Sequence, residues 1–203
     1  AIDREYAETR MRWEPLYEMS QMKGDEEAHP LFSPEDEFAD FENWDVANLD
    51  GTSPKEDWML EYEYARSALQ VGLQQEQKLG VNPFKFGLEG GGDDHSSSHT
   101  WEEFNYHGGH ATVDDTPKKR LTGTVPLPGA EPGVNVQLSA GGITGVWAES
   151  NTRDAIFDAL KRKETFGSSG VRIKARFFGG WDYPPDLVKQ KDWVKKAYAD
   201  GVP

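Results

Sequence analysis

Apolar residues recur at three- and four-residue spacing over Trp58, Tyr62, Ala65, Leu69 and Leu73. That period predicts an amphipathic helix with one buried stripe. Ser53-Pro54-Lys55-Glu56 reads as its start, a capping box with proline in the first turn, and Gly80 as its stop. Glu61, Arg66, Gln70 and Gln77 fall on the outward face. Asp3 can cap an earlier helix that runs to about Trp13 and ends at Pro15. Ser33-Pro34 reads as a further helix start, with Phe38, Phe41 and Trp44 at helical spacing and directed to the core. Asn151 is expected to cap a helix with Ile156, Ala159 and Leu160 inward, and residues 186–198 a final one.

Strand patterns fill the gaps between these helices. Residues 16–22, LYEMSQM, place Leu16, Glu18, Ser20 and Met22 on one face. Residues 84–88 read as a short buried strand that enters a glycine-rich turn, and residues 141–148 as another strand. Residues 165–170, TFGSSG, read as a turn. Residues 171–178 alternate cleanly, with Val171, Ile173, Ala175 and Phe177 opposite Arg172, Lys174 and Arg176. This predicts a half-buried strand with a basic face. From 96 to about 140 no period holds, and Gly, Thr, Pro, Asp and His dominate. A loop that long is expected to be a lid or a disordered segment. It contains the cluster His107-Gly108-Gly109-His110 and the basic patch Lys118 to Arg120. Helices alternating with strands make the chain an α/β protein, in which ligands gather at the carboxyl ends of strands.

The candidate chemistry sits at one such strand end. Gly90-Gly91-Gly92 is followed by Asp93, Asp94 and His95. In extended backbone, residues two apart project to one side, so Asp93 and His95 can meet one metal ion. The glycines allow a tight turn and a close approach to a ligand. The competing reading is a solvated acidic loop. His99 lies four residues on. Glu27 and His29 repeat the carboxylate-x-imidazole spacing after the earlier strand. Glu18 stands in an apolar strand context, where a carboxylate needs a base, a metal or water.

Composition narrows the partners. The chain has 203 residues, enough for one domain or a large piece of a bigger one. A formal net charge of −14 disfavours nucleic acid and anionic membranes, since both need a basic footprint. No cysteine is present, which excludes disulfides, thiolate metal sites and cysteine nucleophiles. No apolar run approaches the roughly 20 residues of a membrane helix, and AIDREYAETR carries no signal-peptide pattern.

Four runs carry a family resemblance: REYAETRMRWEPLYEMSQMKGDEEAHP, YARSALQVGLQQEQKLGVNPFKFGLEGGGDDH, GGITGVWAESNTRDAIFDALKRKETFGSSGVRIKARFFGGW and DWVKKAYADGVP. They look like a large bacterial family of uncharacterised proteins that is similar to the PHP (polymerase and histidinol phosphatase) superfamily of metal-dependent phosphoesterases. The resemblance implies a distorted (β/α) barrel with divalent metals (Mn, Zn or Fe) at the carboxyl ends of its strands. Asp93 and His95 match the superfamily's closing Asp-x-His, and Glu18 matches its mid-chain glutamate. His29, in the Glu-x-His-Pro run with Glu27, is a further expected ligand. Asp94 stands where a Thr or Ser is usual. The superfamily's opening His-x-His is missing. The chain is therefore expected to be a single domain, 1–203, forming a partial PHP-like barrel whose N-terminal part belongs to a longer protein.

The expected function is metal-dependent hydrolysis of a small anionic substrate, a phosphate ester first of all, with the missing N-terminal part of the same protein as a further partner. Arg172, Lys174 or Arg176 could attract the anion. Two alternatives stay open: a noncatalytic, structural or cation-binding fragment, and a hydrolase of another ester or amide on the same barrel. The resemblance points to a periplasmic or secreted location.

Overall fold

A computed structural model describes residues 2–48, 53–97, 99–109, 116–122 and 138–201. It has mixed α/β content, as the sequence patterns require. The chain divides into two compact units, Ala1–Ile173 and Lys174–Pro203.

In the first unit, helix α1 (Arg4–Trp13) starts at Asp3, whose carboxylate accepts from the Tyr6 amide. This is the expected cap, and it satisfies one orphan donor of the first turn. Strand β1 (Leu16–Glu18) follows Pro15, then the short antiparallel pair β2 (Ser20–Gln21) and β3 (Gly24–Asp25). Strand β4 (Gly87–Glu89) runs parallel to β1, with Glu18 opposite Glu89. Backbone bonds prolong this ladder beyond both strands: Met19 donates to Glu89, Gly91 to Ser20, and Met22 to Gly92. The strand expected over 16–22 is therefore paired along its length, although its second half also forms β2. The strand expected at 84–88 begins later. Asn82 accepts the Phe84 amide in an Asx turn, which delays the extended segment to Gly87.

Joining two parallel strands requires a crossover. Here it contains α2 (Asp57–Leu60) and α3 (Ala65–Leu79), not the single helix read from residue 53. Pro54 instead makes a bridge to Ala47. The chain breaks at 61–64 because loop 26–27 enters there: the Ala65 amide donates to the Glu26 carbonyl and the Arg66 amide to the Glu27 carbonyl. Those bonds fix the first turn of α3 and rotate its buried face. Trp58, Tyr62, Leu69 and Leu73 are consequently exposed, while Leu60, Tyr64, Ala65 and Gly72 are covered. The expected core stripe is thus wrong in four of its five members. Arg66, placed on the solvent face, instead clasps Glu27 and Asp36. Gly80 ends α3 in the left-handed conformation, as expected of a C-terminal glycine.

Residues 33–42 form successive turns with no helix, and Phe38 and Phe41 are exposed, against expectation. The segment is held instead by backbone pairing: the Asp25 amide donates to the Glu42 carbonyl. Gly24, at φ +104°, lies so close to that carbonyl that a Cβ there would collide with it.

Strand β5 (Ile143–Val146) pairs antiparallel with β6 (Thr165–Ser168), so the stretch read as a turn at 165–170 is largely a strand. Its small residues fit close packing against β4: the Thr165 hydroxyl donates to the Leu88 carbonyl at 2.7 Å. Between the two strands, α5 (Arg153–Lys161) is capped by Thr152, one residue beyond the expected Asn151, and buries Ala159. Helix α4 (Pro117–Thr122) carries Lys118 to Arg120, inside the region read as irregular. Residues 98, 110–115 and 123–137 of that region, His110 among them, lie outside the described residues.

The strand expected over 171–178 is absent. The Ile173 amide donates to the Val171 carbonyl, a tight turn that breaks the extended run, and Val171, Ile173 and Phe177 are exposed. Arg172 stacks over the Trp101 ring at 4.3 Å. In the second unit, a 3-10 turn (Leu187–Lys189) precedes α6 (Trp193–Asp200). Phe178 packs edge-on against Trp193 and Tyr198, and the Tyr183 hydroxyl donates to the Ala197 carbonyl at 2.7 Å. Among the described residues, no helix is long and apolar enough to cross a membrane.

Candidate metal centre

The parallel β1–β4 ladder brings two carboxylates to adjacent strand ends. Glu18 and Glu89 face one another in register. The Glu89 carboxylate accepts from the Thr144 hydroxyl of β5 at 2.8 Å. Among the described residues, Glu18 has no such anchor. Burial, then the charges of Glu89, Glu26 and Asp93, push its carboxyl up to about 7, while Lys23 pulls it down. This is the response of a carboxylate placed among like charges in a partly dry site.

Beyond β4 the three glycines act differently from expectation. None of them has a positive φ. Each gives space to another part of the protein: Gly90 to the Ile143 backbone, Gly91 to the Glu18 carboxylate and Gly92 to the His99 ring. A Cβ on Gly91 would collide with Oε1 of Glu18. The turn itself falls at Asp93, at φ +49°, a left-handed conformation that Asp tolerates better than most residues.

That turn sets the geometry of the Asp-x-His pair. One oxygen of Asp93 lies 3.0 Å from Nε2 of His95, and the other pairs with the Lys23 ammonium. Lys23 also reaches Oε1 of Gln21 at 3.3 Å. Asp93 and His95 therefore meet, through this turn and not through the extended backbone expected, and Glu18 lies within electrostatic reach of Asp93. Asp94 turns away from the pair. Its side chain is almost fully buried, accepts from the Ser96 amide and hydroxyl, and stands 3.5 Å from Nδ1 of His107. Burial raises its pKa, but the Ser96 bonds, then His107 and His99, outweigh that and hold it below the ordinary value.

His29 does not join the cluster. Its Nε2 is 3.4 Å from Asp45, its Nδ1 accepts from the Leu31 amide, and its ring packs against Tyr64 and Phe32. Glu27 is taken by Arg66, so the repeated spacing at 27 and 29 brings no second pair together. Among the described residues, no three His, Asp or Glu side chains converge in a ligating arrangement. Two members of the site escaped the sequence reading. Glu89, the last strand residue before the glycines, was findable from the strand-end rule. Lys23 was not, because its contact with Asp93 spans 70 positions.

The fold and the site together define a mixed α/β protein with a carboxylate–imidazole pair at the end of a parallel strand. The chain belongs to the family DUF3604, described as a protein of unknown function, whose model matches residues 1–203. No curated protein and no solved structure matches the chain.

Proposed function

We propose that this chain supplies donors to a divalent-metal site of a hydrolase, read as a portion of a distorted (β/α) barrel, and that phosphate esters are its first candidate substrates. The proposed donors are Asp93, His95 and Glu18. One observation carries this reading: at the end of β4 the Asp93 carboxylate is shared between an imidazole and an ammonium, beside a second carboxylate made basic by burial and its neighbours. Such a group of anions calls for a cation. Carboxylate and imidazole donors suit Mn, Zn or Fe. His29, engaged by Asp45, stands outside this donor set.

Asp93, His95 and Glu18 would hold the ion, and its chemistry there would be to lower the pKa of a water molecule and polarise the scissile group. The chain's own residues prepare the site. Lys23 fixes the second oxygen of Asp93, and the left-handed turn aims that carboxylate at His95. Gly91 leaves room for the Glu18 carboxylate. A noncatalytic cation-binding role is the second reading, favoured by the lack of three converging ligands among the described residues.

The test is a panel of phosphate, sulfate and carboxylic esters, assayed with chelator-treated protein to which Mn²⁺, Zn²⁺ or Fe²⁺ is returned. Metal-dependent hydrolysis of a phosphate ester is expected. Asp93→Ala and His95→Ala should each lower it by more than the roughly 10–100-fold that outer-shell partners are worth. Turnover of sulfate or carboxylic esters alone would move the reading to another ester. Metal binding without any turnover would leave the cation-binding role.

A further inference from the structure

Next to the Asp93 site, sharing only Lys23 with it, is a cavity of about 570 Å³. That volume falls within the roughly 300–1,000 Å³ of small-molecule sites. The β2–β3 hairpin provides Lys23, Asp25 and Glu26 as one side, and Trp44 provides an aromatic wall. The break between α2 and α3 provides Glu63 and Tyr64. The helix interruption at 61–64 is therefore what shapes this side of the cavity.

The charges do not cancel evenly. Both lining lysines are already engaged: Lys23 by Asp93, and Lys55 by Glu63 at 2.6 Å and by the Trp44 carbonyl at 3.1 Å. Asp25 accepts from the Glu27 amide, and Glu26 lies beside the Tyr17 hydroxyl, but among the described residues neither forms an ion pair. The lining thus offers two carboxylates outside any direct ion pair among the described residues, Glu26 within electrostatic reach of Lys55 and Lys23 and Asp25 of Arg66, beside the aromatic side chains of Trp44 and Tyr64. Burial first, then Asp45, Glu63, Asp25 and Glu26, push the Tyr64 phenol up, which reports the same acidic surroundings.

We propose that this cavity binds an organic diamine, a short aliphatic stem with an ammonium at each end, one ammonium at Asp25 and Glu26 and the other against the aromatic faces of Trp44 and Tyr64. An ammonium near aromatic faces gains cation–π attraction, and the half-dry carboxylates gain a partner. A free anion would meet two carboxylates outside any direct ion pair and two lysines already held. The proposal concerns binding and holds whether or not a metal sits at Asp93.

The probe is putrescine, titrated calorimetrically into the full chain in metal-free buffer, with butanediol and succinate as neutral and anionic counterparts of the same length. Putrescine should bind saturably and at least about tenfold more tightly than butanediol. Added salt should weaken it, since the contact is charge-assisted. The shape-conserving Glu26→Gln and Asp25→Asn should each weaken it by about tenfold or more, and Trp44→Leu should weaken it too. Equal binding of butanediol, preferred binding of succinate, or no saturable putrescine binding would each overturn the proposal. So would unchanged affinity in the folded Glu26→Gln protein. The ligand series in the unmodified chain decides the matter even if a variant fails to fold.

Discussion

Glu18 shows how one residue can be costly to the fold and useful to a site. Its carboxyl is raised to about 7 from an ordinary value of 4.5, first by burial and then by Glu89, Glu26 and Asp93. The folded chain therefore keeps this proton at pH values where the unfolded chain has lost it. With more protons bound in the folded state, stability falls as pH rises from about 4.5 to about 7. Asp25, pushed up to about 6 by burial, adds to the same slope at its lower end. Glu18→Gln should flatten the slope and stabilise the metal-free chain above pH 7. The gain is on the order of 1 kcal/mol, because a half-exposed group is screened by solvent. Thermal melts between pH 4 and 8 check this; a Glu18→Gln chain less stable than wild type at pH 8 would contradict it. A cation bound at Glu18 would oppose the same penalty, so the variant should also respond less to added metal.

At the scale of elements, the two-stranded sheets β1–β4 and β5–β6 are joined by a few side chains that bond between them. Thr165 is the clearest, since its hydroxyl donates from β6 to the Leu88 carbonyl of β4. Thr165→Val keeps the shape and removes the bond, and should cost about 1 kcal/mol in urea denaturation. An unchanged midpoint would mean that the carbonyl finds another donor. Legibility followed the range of the controlling interaction. Asp3, Gly80 and the strand at 16–22 were readable, because caps and periods act over a few residues. The break at 61–64 was not, because it is imposed by carbonyls of residues 26 and 27. The strand at 165–168 was missed for a similar reason. TFGS has turn-like composition, and its small residues are selected by packing on β4 and β5. Clean alternation at 171–178 misled in the opposite direction, because a tight turn at 171–173 interrupts the extended run. In the site, the spacing pointed to Asp93 and His95, but their contact is made by a left-handed turn at Asp93 and not by the extended backbone expected, and Lys23 enters from distant sequence.

Over the whole molecule, charge imbalance dominates. The chain carries 36 acidic and 22 basic residues. Several ion pairs are exposed helix-surface contacts such as Arg4–Glu8 and Lys196–Asp192, each worth well under about 1 kcal/mol. General repulsion among unmatched carboxylates therefore outweighs what salt removes from these pairs. Moderate sodium chloride should raise the melting temperature, with most of the gain below roughly 0.1–0.2 M, where the Debye length falls to about 8–10 Å. A melting temperature that falls over this range would show that specific pairs matter more than net charge.

Metal content per chain bears most directly on the central claim that Asp93, His95 and Glu18 form part of a divalent-metal site. Protein purified without chelator would be subjected to elemental analysis, beside Asp93→Ala prepared in parallel. A stoichiometric transition metal is expected in the wild-type chain, and its loss in the variant, with circular dichroism showing that the variant is folded. Metal at equal occupancy in both proteins, or none in wild type even after incubation with Mn²⁺, Zn²⁺ or Fe²⁺, would contradict it.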